Sequence, residues 1–479
     1  MATQSPRRFV SNGRESCSQW KQQRVTPENS TRIPVILLAY HFPPLGGVAV
    51  MRALRFSRYL REFGFEPLVV CVDPHPRSPE PRDPSLLEEI LPGVVVHRVP
   101  CFEPDNYRNS WDYPMEKIIR NLFKTFDYFL VPDDRAFWIK AAAKAVCQVA
   151  KQHKAKLIWA TAQPFSTLLA GLAASKQLNI PLVSDFRDDW TTSSALFRRN
   201  EPGRLKRERA QEQAVLAHSS AVITVTPGIV EALQQRTPPP LTAGHVPDLV
   251  SPGSKASLRP DRSSSSAAPK PSKVHQILNG FDPAHYPHES SKSEPTKTAF
   301  RLTHTGGIYQ HRSPLPVFHL LKALESKGYN NLVCDFYGRV DPDSAQLFLS
   351  PERPSCVHNH GFCSHAEIRP ALVHSDINLL ILERVERVEW LYTGKVFDYF
   401  GAKRPILMLG PVESPLSDMV RESGLGQCYH WDDLDGQLDF VERVSQGEFQ
   451  KPNLEYLNQF DARHQTETLS NIFRQVLKA

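Results

Sequence analysis

The sequence predicts an α/β protein made of two doubly wound parallel sheets, and three observations carry that prediction. Short apolar runs alternate with amphipathic helical segments along the chain. The runs are continuously apolar, as strands buried on both faces require. The alternation stops at a polar stretch near the middle and then restarts, so two halves follow one another.

In the first half, PVILLAY (34–40) reads as a strand and VAVMRALRFSRYLREFG (48–64) as a helix closed by a glycine. PLVVCV (67–72), VVVHRV (94–99), KLIWA (156–160), IPLVSD (180–185) and AVITV (221–225) read as further strands. The stretch RTPPPLTAGHVPDLVSPGSKASLRPDRSSSSAAPKPSK (236–273) has no periodicity and too little apolar surface to order itself, so it reads as a loop insertion. VHQILNGF follows it as a short strand and turn. From Phe300 the pattern resumes with FRLTHTG, NLVCDFYG, SCVHNHG, DINLLIL and PILMLG, five strands separated by helices around 314–327, 365–374, 394–402 and 414–423. Residues 452–477 form an amphipathic helical tail.

Bulk properties narrow the function. A chain of 479 residues exceeds one ordinary core and suits two domains of roughly 200 residues. No apolar run reaches the roughly 20 residues of a spanning helix, and the first 30 residues hold no secretory h-region. Residues 1–31 carry net +3 and residues 236–273 net +4, against +6 for the whole chain, so the remainder carries −1. Basicity confined to two polar segments argues against a nucleic-acid-binding face and leaves room for peripheral contact with an anionic membrane. The eight cysteines are scattered without a CxxC pair, the pattern of a reducing compartment, hence a cytoplasmic protein.

Five motifs carry chemistry. In AYHFPPLGGVAVMR (39–52), Gly46 and Gly47 precede a helix N-terminus, where backbone can approach an anion; a tight β–α turn would look the same. SDFRDDW (184–190) places Asp185, Arg187 and Asp188 at a strand's C-terminal edge, where α/β sheets bind ligands; an Asp–Arg–Asp salt-bridge network holding the loop fits the pattern equally well. HTGGIYQHRSP (304–314) repeats the logic: Gly306 and Gly307 end a strand and Arg312 precedes a helix, a setting suited to a diphosphate. CVHNHGFCSH (356–365) holds five Cys and His, but the spacing fits no common zinc module, and no metal is expected. In LYTGKVFDYFGAKRPILMLGP (391–411), Gly394 turns the chain into a helix whose first residue is Lys395. A cation there is unfavourable unless an anion is bound, and Asp398 lies on the same face. A surface Lys395–Asp398 pair is the alternative.

Taken in order, these motifs resemble the GT-B-fold glycosyltransferases of the family 4-like type. The resemblance spans residues 33–477 apart from the insertion, and also rests on VPDDRAFW (131–138), TAQPFSTLLAGL (161–172) and the hinge-like ILNGFD (277–282). It implies a disordered tail (1–32), an N-terminal acceptor-side domain (33–235), the insertion (236–273), a connection (274–299), a nucleotide-sugar-binding domain (300–450) and helices packing back on the first domain (451–479). It further implies a nucleotide diphosphate sugar as donor and no cofactor. By this resemblance Lys395 and Arg312 hold the diphosphate, assisted by Gly306, Gly307 and Gly394, and Asp398 holds the ribose. Gly46 and Gly47 approach the donor from the other domain, while Asp185, Arg187 and Asp188 face the acceptor, Asp188 with a catalytic role. The family often has two Glu separated by seven residues. Here the second is Asp398, about 1.5 Å shorter in reach, and the first position is Trp390. The expected activity is a retaining, hexosyltransferase-like transfer to a glycan, lipid-linked or small-molecule acceptor. The alternative is an inactive scaffold that binds a nucleotide sugar or glycan.

Overall fold

The computed structural model describes residues 32–76, 78, 80–102, 130–191, 202–237, 273–286, 299–309, 311–384, 393–449 and 451–478. Trp390, the 1–31 tail and residues 238–272 of the insertion lie outside them.

The first sheet contains β1 (Ile33–Ala39), β2 (Phe65–Asp73), β3 (Val95–Pro100), β4 (Leu157–Thr161), β5 (Leu182–Phe186), β6 (Ala221–Thr224) and β7 (Val274–Gln276), in spatial order β3-β2-β1-β4-β5-β6-β7. Every neighbouring pair is parallel, with Leu37 opposite Val69 on one side and Trp159 on the other. The second sheet contains β8 (Phe300–Thr305), β9 (Leu332–Tyr337), β10 (Val357–Gly361), β11 (Ile377–Ile381), β12 (Ile406–Leu409) and β13 (Gly426–Tyr429), in order β10-β9-β8-β11-β12-β13, again all parallel. The sixth strand of this sheet was not expected. Its sequence, GQCY, has no apolar run to announce it, and among the described residues it pairs only with β12.

Alternation along the second sheet splits its core between two faces. Leu379, Ile381, Leu407 and Leu409 pack on one side with Phe318 and Phe336, whereas Leu380, Ile406 and Met408 pack on the other with Phe397 and Phe400. Both sheets reverse winding direction at one point, between β1 and β4 and between β8 and β11. The loops leaving those strands diverge there and open a crevice at the strands' C-terminal ends.

The chain crosses between the sheets twice. Phe281 donates to Phe460 O at 2.9 Å, and Ala462 donates to Phe281 O at 2.9 Å. Gly280 is required at this crossing, because a Cβ would stand 2.1 Å from Phe460 O. Beyond it the helix Ala462–Lys478 packs on the first sheet, with Leu469, Ile472 and Phe473 entering the core of β1 and β2. Phe473 meets Phe65 edge-on with centroids 5.4 Å apart. The sequence-stretch at 452–477 thus divides into the helices Leu454–Asn458 and Ala462–Lys478. Among the described residues no helix is long and apolar enough to cross a membrane.

Candidate functional site

The loop leaving β8 starts at Gly306, which takes φ +105, a conformation that favours glycine. Space demands glycine as well, since a Cβ would lie 2.0 Å from Lys395 Cε. Lys395 opens the helix Lys395–Ala402, whose N-cap, Gly394, offers no side-chain cap. The lysine reaches across the sheet edge to Gly306, and its Nζ is enclosed without a hydrogen-bond partner among the described residues. Burial holds its pKa well below the ordinary value. Arg312 adds to that effect, and Glu383 opposes it.

Arg312 is buried beside it. Its Nη1 donates to Gly307 O at 3.1 Å and its Nη2 to Glu383 Oε1 at 2.8 Å, while its Nε has no partner among the described residues. Its guanidinium carbon lies 4.8 Å from the centroid of the Tyr309 ring, and the Tyr309 hydroxyl also bonds Glu383. Glu383 thus hydrogen-bonds the arginine, whereas the lysine has no hydrogen-bonding acid among the described residues. The arrangement leaves positive capacity unmatched at a helix N-terminus, the electrostatic requirement for an anion.

The first half covers this edge. A Cβ on Gly394 would stand 2.6 Å from Val48 Cγ1, so Val48, next to Gly47, rests directly on the helix start. Asp398 accepts from Arg55 at 3.0 Å and from the Tyr286 hydroxyl at 3.3 Å. Further along the edge, His365 N donates to Asp83 at 2.9 Å and Arg369 pairs with Glu89 at 2.7 Å.

On the first-half side, Gly47 takes φ +86 and Gly46 donates to Pro81 O at 2.8 Å. Arg52 grips Asp185 through Nε at 2.8 Å and Nη2 at 2.9 Å, and Thr161 adds a bond at 2.7 Å. Arg52 also donates to Leu278 O at 3.0 Å, tying the pair to the hinge. Arg187 donates to Ala49 O at 2.8 Å. Asp188 is open to solvent yet ringed by protein. It accepts from Gln163 at 2.8 Å. Gln163 borders a polar pocket of about 300 Å³ at the β1/β4 switch point, lined by His41, Glu80, Asp134 and Arg135 among others. There His41 hydrogen-bonds Gln163 O at 3.2 Å and faces Glu80 at 3.6 Å, and Glu80 is drawn down to about 2, first by His41.

Residues 46–243 match the family described as glycosyl transferase 4-like domain. HepE from Anabaena, solved in complex with UDP and glucose, superposes on 93% of this chain and 100% of its own, with TM-score 0.54 and 14% identity. The chain has the GT-B fold, and its residues 46–243 are similar to a glycosyl transferase 4-like domain. Sucrose-phosphate synthase from Thermosynechococcus elongatus gives TM-score 0.52 at 13% identity, covering 93% of this chain and 100% of that one. A putative UDP-N-acetylglucosamine 2-epimerase from Listeria monocytogenes gives 0.52 at 10%, covering 93% and 97%. Identities this low establish the fold alone. No curated protein sequence matches the chain.

Within the GT-B cleft, the structure gathers Gly306, Gly307, Arg312, Gly394 and Lys395 at one edge, with Gly46 and Gly47 in the loop whose next residue, Val48, lies over them. Lys395 and Asp398 are not paired: the lysine turns inward and the aspartate outward to Arg55. Asp185, expected beside the acceptor, has no exposed surface, because both its oxygens are occupied by Arg52 and Thr161. Among the described residues the acid that bonds the basic pair is Glu383, through Arg312. Motif spacing passed it over, since it stands too far from Asp398 in sequence. Arg55, His304 and the pocket residues were also missed, although Asp134, Arg135 and Gln163 lie in stretches that carried the resemblance. His360 bonds Asp335 at 2.7 Å and stacks on Tyr337. Among the described residues no three His, Cys, Asp or Glu group closely enough to hold a metal ion.

Proposed function

We propose that this protein transfers a glycosyl group from a nucleoside diphosphate sugar to a glycan, lipid-linked or small-molecule acceptor, with retention at the anomeric carbon and without an obligatory metal or cofactor. The observation that carries this reading is the enclosed Lys395 Nζ, without a partner among the described residues, beside Arg312 at a helix N-terminus. In the reaction the bond from the anomeric carbon to the diphosphate oxygen breaks, and the bond to the acceptor oxygen forms on the same face. The acceptor proton passes to the leaving phosphate. Lys395 and Arg312 act where the departing diphosphate gathers negative charge, in a site already shielded from water. Asp398 takes the ribose hydroxyls, exchanging part of its contact with Arg55. Gly46 and Gly47 close over the donor, and Asp188 with Arg187 and the adjoining pocket receives the acceptor, Asp185 acting through Arg52 as a support. The work takes place in a reducing, cytoplasmic setting, with the basic segments available for contact with the inner face of a membrane.

The test is release of nucleoside diphosphate from a panel of nucleotide sugars, wild type beside Lys395→Ala. Loss of one donor-directed cation should cost roughly 2.7–4 kcal/mol of transition-state stabilisation, a hundred- to thousandfold in turnover. Equal turnover in both proteins would falsify the assignment. A second reading, a non-catalytic scaffold, draws on Asp398 being held by Arg55 and Tyr286 and on Trp390 in the place of the first Glu. Donor binding with no product of any kind would favour it.

A further inference from the structure

One buried side chain beside the basic pair has no part in the reading above. His304 is the fifth residue of β8 and is fully enclosed. Its Nδ1 lies 3.0 Å from Leu379 O, and its Nε2 has no hydrogen-bond partner among the described residues. A carbonyl oxygen can only accept, so Nδ1 carries a hydrogen and Nε2 holds the lone pair of the neutral ring. Arg312 Nε and Lys395 Nζ are enclosed and partnerless in the same neighbourhood. Three nitrogens without partners among the described residues, with Lys395 and Arg312 close enough to act electrostatically on the His304 ring, call for an explanation that a packed core does not supply.

We propose that His304 is a third nitrogen of the diphosphate cradle, one that donates to the anion from Nε2 after taking up a proton as the ligand binds. The proposal rests on the donor-site reading and extends it to a residue and a proton count. The groups around the ring explain why the proton arrives with the ligand. Lys395 comes from the helix Lys395–Ala402, Arg312 and Tyr309 from the loop after β8, Glu383 from the end of β11, and Tyr399 reaches Thr305 N. Phe336 contributes only an apolar ring, at 5.5 Å. Burial opposes the charged ring most, then Lys395; the Leu379 and Gly306 carbonyls favour it, and Arg312 opposes it. Glu383 is already engaged by Arg312 and Tyr309. A bound diphosphate cancels the repulsion from Lys395 and Arg312 and gives Nε2–H an acceptor.

The experiment is calorimetric titration of the full chain with UDP, GDP, ADP and dTDP at pH 8, where the diphosphate is fully ionised. Buffers of different ionisation enthalpy then count the protons taken up. His304→Asn keeps the bond to Leu379 and removes Nε2. His304→Gln places an amide N–H near Nε2 that donates without a proton. We expect His304→Asn to weaken binding roughly ten- to a hundredfold, and His304→Gln to restore most of it while taking up fewer protons than wild type. Equal affinity and an equal proton count across the three proteins, with binding still lost in Lys395→Ala, would overturn the role of His304 and leave the donor site standing. Absence of binding by every nucleotide would overturn both. Should His304→Asn melt early, the proton count of His304→Gln alone decides: a count unchanged from wild type refutes the proposal.

Discussion

Asp185 and Lys395 show how enclosure sorts charged residues into two kinds. Asp185 has every oxygen satisfied by Arg52 and Thr161, and the pair ties β5 to the first helix and to the hinge. Removing one partner of an enclosed ion pair strands the other, so Asp185→Ala should lower folding stability by about 3–5 kcal/mol, read by chemical denaturation in the absence of any ligand. Among the described residues Lys395 has no partner to strand. Lys395→Met should therefore leave stability unchanged or raise it while nucleotide affinity falls. A loss of stability in that variant comparable to the Asp185 effect would mark Lys395 as structural. The sequence made both residues candidates, Lys395 the stronger because a cation at a helix N-terminus wants an anion, but an ionisable residue after a strand reads much the same whether its partner is protein or ligand. What separates them is Arg52, more than a hundred positions away, which no local motif could assign.

At the scale of elements, most of the architecture was legible and the reason is periodicity. Continuous apolar runs such as PVILLAY and DINLLIL can only be strands covered on both sides, and each lies within a residue or two of its expected place. GQCY failed because an edge strand of four residues buries too little to leave a pattern. The acid beside Arg312 was not legible in the same way: Glu383 stands two residues past β11, outside the spacing that marks the family. Gly306 is the element-level feature with the sharpest consequence. Gly306→Ala forces a side chain into φ +105 and into Lys395 Cε. Nucleotide affinity should fall at least as far as in Lys395→Ala, with the secondary structure, followed by circular dichroism, unchanged. Retained affinity would mean that the lysine does not need its present path over the loop.

On the scale of the whole molecule, the two sheets touch along one edge through Val48 on Gly394, Arg55 on Asp398 and Asp83 on His365, and are joined by the paired crossing at Phe281 and Phe460. The helix Ala462–Lys478 belongs to the first sheet's core although it follows the second sheet in sequence. A chain stopped at residue 461 should therefore lose solubility and bind a hydrophobic dye, whereas loss of the two outermost helical residues should not; a soluble, dye-silent truncation would show that the first sheet closes without it. The same feature sets a timetable for synthesis. Ala462 leaves the ribosome 186 residues after Gln276, the last residue of the first sheet, a delay of roughly ten to forty seconds at typical elongation rates. Throughout that interval Phe65 and Trp159 lack the cover of Phe473, so the nascent first half must wait as a nearly finished domain with an open greasy face until its own distant helix arrives.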